Sequence, residues 1–303
     1  MELRTLRIFV AVVRHGGFSQ AAKHVFVTQS AVSKAVRQLE DELGLALIDR
    51  QAPGVQLTDA GRVVFARAQQ LLAQRDDLVT ELDELKGVRR GQLTLGLPPI
   101  GSDALFAPIF AAYRSRYPDI EVSLFEHGSR RLEELVTTGE LELGASLLPF
   151  SGAFDWQDVI AEPLDVILRE DHPLANQKNI SLSEISSEAF ILFDSGFALN
   201  PIILEGCRAA GFRPNVAARS SQINFIVELV GAGLGIGFLP RLIASQRVRP
   251  GVRHVTLEDP GMEWHMAFIW RRGGYLSFAA KAWLDLAAEL RGKAAGRRAD
   301  RAP

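Results

Sequence analysis

Apolar residues near the start of the chain recur at helical spacing and stop at glycines. Leu6, Phe9, Val10 and Val13 share one stripe, which His15-Gly16-Gly17 ends. Ser19 is placed to cap a short second helix through Val25, with Ala21 and Ala22 small enough for close helix contact. Thr28 is placed to cap a third helix to about Leu43, with Val32, Val36, Leu39 and Leu43 inward and Gly44 at its stop. Two helices joined by about three residues make a helix-turn-helix pattern. Ala46 to Leu57 alternates loosely and breaks at Pro53-Gly54, which predicts a small hairpin, or wing. Thr58 then opens a long helix to about Lys86. Its Val64, Ala68, Leu71, Leu78, Leu82 and Leu85 alternate spacings of three and four, interrupted at Arg75, as in a seam that meets a partner helix. Gly87 to Gly91, with Arg89 and Arg90, predicts a hinge.

From Gln92 onward strand-like and helical runs alternate. Leu93 to Leu97, Ile120 to Phe125 and Leu141 to Ser146 are separated by helices near Leu105 to Tyr117 and Leu132 to Thr138, a parallel α/β pattern. The order recurs at Phe190 to Phe193, Pro201 to Ala210, Val216 to Arg219, Ile223 to Val230 and Ile236 to Leu239, so two similar lobes are expected. Met266 to Trp270 and the helix Phe278 to Leu290 lack a partner in the second lobe, which predicts that the chain returns to the first. The tail Gly292 to Pro303 has no large apolar residue and is read as frayed.

Charge changes the picture through its distribution. Against a net charge of -2, residues 1 to 67 carry nine Lys/Arg and six Asp/Glu, and residues 291 to 303 carry five and one. A basic head therefore sits on an acidic body, which keeps a nucleic-acid partner open. The single cysteine, Cys207, excludes an intramolecular disulfide and any Cys-cluster metal site. The longest uncharged apolar stretch, Leu229 to Pro240, holds glycines and falls short of the ~18 to 20 residues that span a bilayer. The N-terminus carries Glu2, Arg4 and Arg7 and no secretory apolar region, so a cytoplasmic protein without a membrane partner is expected.

On the third helix Ser30, Ser33, Lys34 and Arg37 fall at i, i+3, i+4 and i+7, opposite the apolar stripe. Such side chains reach phosphates and base edges, and a helix fits the major groove of double-stranded DNA. Phe18-Ser-Gln-Ala-Ala, Thr28-Gln-Ser-Ala-Val-Ser, Gln38-Leu-Glu, Leu43-Gly and Leu57-Thr-Asp-Ala-Gly61 together resemble the N-terminal signature of LysR-type transcriptional regulators. The remainder resembles that family in length, lobe order and the run Gly231 to Pro240. The resemblance implies an α/β protein with an N-terminal winged helix-turn-helix (1–57), a dimerising linker helix and hinge (58–91), and a two-lobed effector domain like periplasmic binding proteins (92–303). Lobe I would span about 92–162 and 265–290, and lobe II about 163–264. It also implies DNA contacts by Gln29, Ser30, Ser33, Lys34 and Arg37, backed by Arg50 from the wing, a tetrameric assembly and RNA polymerase as a partner. Ser30 departs from the proline many members carry there, which alters the rigidity of the first helical turn and little else.

The glycines at 231, 233, 235 and 237 do not give G-x-G-x-x-G, and they lead from a helix into a strand, so a helix stop is the better reading than a dinucleotide site. There is no G-x-S-x-G, no H-E-x-x-H and no paired histidine spacing, which argues against an enzyme. Ligands of open α/β sheets bind at strand C-terminal ends. Ser102, Ser129 and Ser221 stand there at helix starts, where they either cap or meet an anion, and Ser146, Phe197 and Phe238 are added by proximity. Arg130, Arg131 and Arg219 adjoin these loops and are available to a carboxylate. The resemblance places a small-molecule effector between the lobes, with no cofactor; a small organic anion is expected, an aromatic or uncharged metabolite being the alternative. A solute-binding or enzymatic periplasmic-binding-like protein and an architectural DNA binder are the competing classes, disfavoured by the recognition helix and by the two-lobed pattern respectively.

Overall fold

The computed structural model describes residues 1–49, 54–85, 91–150, 152–247 and 249–299. They form two compact units, one built on the N-terminal helices and one that begins at the first strand after residue 90.

In the first unit, α1 (Leu3–Arg14) buries Leu6, Phe9, Val10 and Val12. The next helix, α2 (Phe18–His24), follows Gly17 with no side-chain cap, so Ser19 lies inside it and does not cap it. Helix α3 (Gln29–Leu43) starts where Thr28 Oγ1 accepts from the Ala31 N–H at 3.2 Å and stops at Gly44 in the left-handed conformation, φ 66°. Val32, Val36 and Leu39 are buried, whereas Leu43 is exposed at the helix end. Strands β1 (Ile48–Asp49) and β2 (Gln56–Leu57) pair antiparallel; Arg50 and Pro53 lie outside the described residues.

Helix α4 (Asp59–Leu85) is docked at its start by backbone proximity. Thr58 Oγ1 accepts from the Gly61 N–H at 2.9 Å and donates to the Ala46 carbonyl at 2.7 Å. A Cβ at Gly61 would stand 2.0 Å from the Leu47 carbonyl oxygen, so only glycine fits. Val64, Phe65, Ala68 and Leu72 join the core of this unit. Leu71, Leu78, Leu82 and Leu85 stay exposed. The expected hinge at Gly87 to Arg90 falls outside the described residues.

The second unit carries an eight-stranded sheet in the order β4-β3-β5-β12-β6-β11-β7, with β10 also on β6. Its first lobe sets β3 (Gly91–Leu97) parallel to β4 (Ile120–Glu126) and β5 (Leu143–Leu147), with α5 (Ala107–Arg116) and α6 (Ser129–Thr138) between them. A π-helical turn, Ser102–Phe106, precedes α5. The long β6 (Phe154–Arg169) leaves this lobe for the second, where β10 (Gly237–Pro240) and β11 (Val252–Leu257) pair with it and β7 (Asn179–Ile180) pairs with β11. There β8 (Ala189–Phe193) pairs parallel with β9 (Asn215–Ser220), and α7 (Leu199–Ala209), α8 (Ile223–Gly231) and α9 (Arg241–Arg247) cover the strands. Strand β12 (Glu263–Arg271) returns antiparallel to both β5 and β6, and α10 (Phe278–Ala299) follows, so the chain does return to its first lobe.

Tyr113, Phe106, Phe268 and Trp283 are buried in the first lobe, where the Tyr113 hydroxyl donates to the Ala279 carbonyl at 2.8 Å and ties α5 to α10. Phe190, Phe193, Ile203, Ile226 and Phe238 are buried in the second. The glycine run is a helix stop followed by a close approach. Gly233 is left-handed at φ 80°, and a Cβ at Gly235 would lie 2.2 Å from the Ala189 carbonyl oxygen. The tail departs from expectation: α10 continues to Ala299. Its Ala, Arg and Lys content favours helix without any large apolar residue.

Candidate functional site

The outer face of α3 presents the expected side chains. Gln29, Ser30, Lys34 and Arg37 are exposed and Ser33 is half-buried, while Val32, Val36 and Leu39 on the opposite face are sealed in the core. Ser30, Ser33, Lys34, Arg37, Gln38 and Asp41 line one open groove, and Ser33 and Arg37 also border a concavity shared with the hairpin residues Ile48, Asp49 and Gly54. Thr28 sets the helix start and also meets Ser30, Oγ to Oγ, at 3.0 Å. The hairpin is fixed to α3 by Glu40, which the sequence marked only as the last residue of the Gln38-Leu-Glu motif, with no role of its own. Glu40 is 9% exposed, and its carboxylate accepts from the Leu47 and Ile48 N–H groups at 2.9 and 3.3 Å. A buried carboxylate with two backbone donors is a strong positional tie between recognition helix and wing.

The expected effector residues divide into three groups. Ser102 and Ser129 sit on the two loops that follow β3 and β4 in the first lobe. The Ser102 hydroxyl donates to the Pro98 carbonyl, and Ser129 is 3% exposed in the first turn of α6. Gly128, rather than Ser129, supplies the carbonyl that accepts the first helix bonds, from the Arg131 and Leu132 N–H groups. Phe197 and Ser221 lie on the loops after β8 and β9 in the second lobe, with Phe197 stacked on Phe193 at 5.2 Å and Ser221 exposed. There Ser220 Oγ accepts from the Gln222 N–H at 3.0 Å within the loop, while α8 itself follows Gln222 with no side-chain cap.

Ser146 and Phe238 are sealed within their own lobes. Phe238 is 1% exposed and packs in the core of the second lobe, 4.9 Å from Phe190. Ser146 is fully buried, and its hydroxyl donates to Glu133 Oε1 at 2.5 Å. Burial pushes the Glu133 carboxyl above its ordinary range, against the hydrogen bond from Ser146. In both cases a residue near a strand end points into its own lobe. Arg130 and Arg131 pair with Glu134, and Arg219 donates to the Phe193 carbonyl at 3.2 Å. The loop after β8 is braced by buried Asn200, which accepts from Phe193 N–H at 3.1 Å and donates to the Phe193 and Asp194 carbonyls. Nothing in the spacing of the sequence distinguished Asn200 from an ordinary helix residue.

Among the described residues no group of three or more His, Cys, Asp or Glu could hold a metal ion, and no helix is long and apolar enough to cross a membrane. A recognition helix with a wing, followed by a two-lobed α/β domain, defines a DNA-binding regulator of the helix-turn-helix class. Residues 3–62 match the bacterial regulatory helix-turn-helix protein family of the lysR type, and residues 86–291 match the LysR substrate binding domain. An HTH-type transcriptional regulator of Bacillus subtilis (strain 168), YwbI, is 37% identical over 94% of this chain and 95% of its own. BudR of Raoultella terrigena, also an HTH-type transcriptional regulator, is 32% identical over 90% of this chain and 95% of its own. Among solved structures, a full-length OxyR variant from Pseudomonas aeruginosa superposes with a TM-score of 0.74 at 25% identity, covering 95% of this chain and 94% of that one. The chain belongs to the LysR family of transcriptional regulators and is not an enzyme.

Proposed function

We propose that this regulator reads its operator with Gln29, Ser30, Ser33, Lys34 and Arg37 of α3, and answers to a small organic anion bound between the lobes of its second unit. The observation that carries the first part is the division of α3 into a sealed apolar face and an exposed cationic one, held at a fixed angle to the hairpin by Glu40. Arg50 is assigned a supporting DNA contact by resemblance alone. Ser102 and Ser129 from the first lobe, with Phe197 and Ser221 from the second, are the proposed effector contacts. Subunits pair through α4, whose exposed leucines are otherwise left in water, and two such pairs form a tetramer that engages RNA polymerase in the cytoplasm. A change in how the lobes meet is passed on to the spacing of the paired DNA-binding heads. Domain limits at 57/58 and 91/92 serve this division of labour.

Some relatives, 28% identical, are hydrogen peroxide-inducible genes activators. A peroxide-driven disulfide within the subunit does not suit this chain. Its one cysteine, Cys207, is fully buried, and burial pushes the thiol up to about 11, leaving little thiolate at neutral pH.

Anisotropy titrations of Lys34→Ala and Arg37→Ala against operator DNA at several salt concentrations test the α3 assignment. Loss of a phosphate contact lowers the slope of log K against log salt by about 1 and weakens all sequences alike, whereas loss of a bidentate base contact costs ~1 to 3 kcal/mol and relaxes one position. Thermal stability should match the parent, because neither side chain is in the core. Parental affinity in both variants overturns the assignment.

A further inference from the structure

The lobes of the second unit are joined by β6 and β12, and they also touch at two places away from those strands. One is an ion pair between Asp103, in the π-helical turn of the first lobe, and Arg247, at the end of α9 in the second; Arg247 also donates to Asn224 Oδ1 of α8 at 3.2 Å. The other is a close backbone approach. A Cβ at Gly128, before α6, would stand 2.4 Å from the carbonyl oxygen of Gly196 on the loop after β8. Neither place is an apolar contact. Asp103 is 54% and the Arg247 side chain 33% exposed, so this charge pair is screened by solvent and weak enough to open and re-form. Each contact is also one residue from a proposed effector serine: Asp103 follows Ser102, and Gly128 precedes Ser129.

We infer that Asp103 and Arg247 form a latch that holds the lobes closed over the cleft, with Gly128 and Gly196 as the bare surfaces that let them meet. In the closed state the Asp103 carboxylate occupies the Arg247 guanidinium beside the Ser102 loop, which an anionic ligand would compete for. This deepens the reading of the cleft as the effector site and rests on it only for its regulatory consequence; the latch itself is testable with no effector present.

The closure is read as a distance between spin labels on Ser115→Cys in α5 and Lys178→Cys in the second lobe, both exposed positions. Cys207 is buried with a raised thiol, so the native cysteine stays unlabelled in the full-length protein. Labelled subunits are diluted into unlabelled protein so that only pairs within a subunit are observed. The parent should give one narrow distribution. Asp103→Asn and Arg247→Gln should each shift it to longer distances and broaden it, and the double exchange Asp103→Arg with Arg247→Asp should restore the parent's distribution. Gly128→Ala, which keeps the ion pair but places a methyl against Gly196, should also open the lobes; Gly128 is not left-handed, so alanine adds bulk without backbone strain. Charge-neutral variants that retain the parent distribution overturn the latch, as does a double exchange that stays open, since attraction would then not be the cause. If the variants open the lobes but transcription from a reporter carrying the operator does not change, the latch stands and the link from lobe closure to regulation falls.

Discussion

Glu133 shows how one side chain sets a local pH dependence. It is half-buried beneath the end of β5 and holds the hydroxyl of fully buried Ser146, and burial raises its carboxyl above the ordinary range. A carboxyl raised in the folded state binds more protons there than in the unfolded chain, so its contribution to stability falls as pH rises from the ordinary carboxylate value through the raised one. Glu133→Gln can still accept from Ser146 and has similar helix propensity. It should therefore raise the melting temperature at neutral pH, with the gain fading below the ordinary carboxylate range. Calorimetry across pH checks this, and a lower melting temperature at neutral pH would contradict it. At this scale the sequence is most legible where one residue acts on its own backbone. Thr28, Gly44 and Thr58 have the positions and bonds their residue types call for. Ser19 does not cap α2, and Ser146 and Phe238 turn into their own lobes, because proximity to an element's end does not fix which way a side chain points.

Helix α4 carries two patterns on one periodicity. Val64, Phe65, Ala68 and Leu72 serve the core of the N-terminal unit, while Leu71, Leu78 and Leu82 are 40%, 55% and 47% exposed. An exposed leucine row on a long helix calls for a covering surface. Replacing Leu71 and Leu78 together by Asp should leave the N-terminal unit folded, since both point outward, and shift the protein toward monomer in analytical ultracentrifugation, because two buried carboxylates would face no partner. The parent's sedimentation behaviour in that variant would show that α4 is not the pairing surface.

Elements were legible when one period ran through them. The expected strands and helices of both lobes recur close to where alternation and helical spacing put them, and β12 returns to β5 as its missing partner required, whereas β7, α9 and β11 were not expected. Strand β6 was not legible. Its first half is partly exposed and its second half is almost wholly buried, with Pro163 between, so no single period marks it. That change of burial along one strand follows from its passage from one lobe to the next.

For the whole molecule, charge distribution says more than net charge. A net of -2 would suggest indifference to DNA, yet the N-terminal residues are basic and two of their cations, Lys34 and Arg37, lie on the exposed side of α3. The family, the winged helix-turn-helix and the two lobes were all legible, because a dense motif set fixes the first unit and repeated α/β order fixes the second. The cleft was legible only as a set of loops. Its serines and arginines are shared among caps, intralobe bonds and the space between lobes, and sequence spacing alone does not divide them. Sequence-specific DNA binding through α3 is tested by genome-wide footprinting of the parent beside Arg37→Ala. The parent should show discrete protected sites with paired half-sites, weakened or lost in the variant at equal protein level. Protection spread without discrete sites, or the same sites at the same occupancy in the variant, would contradict it.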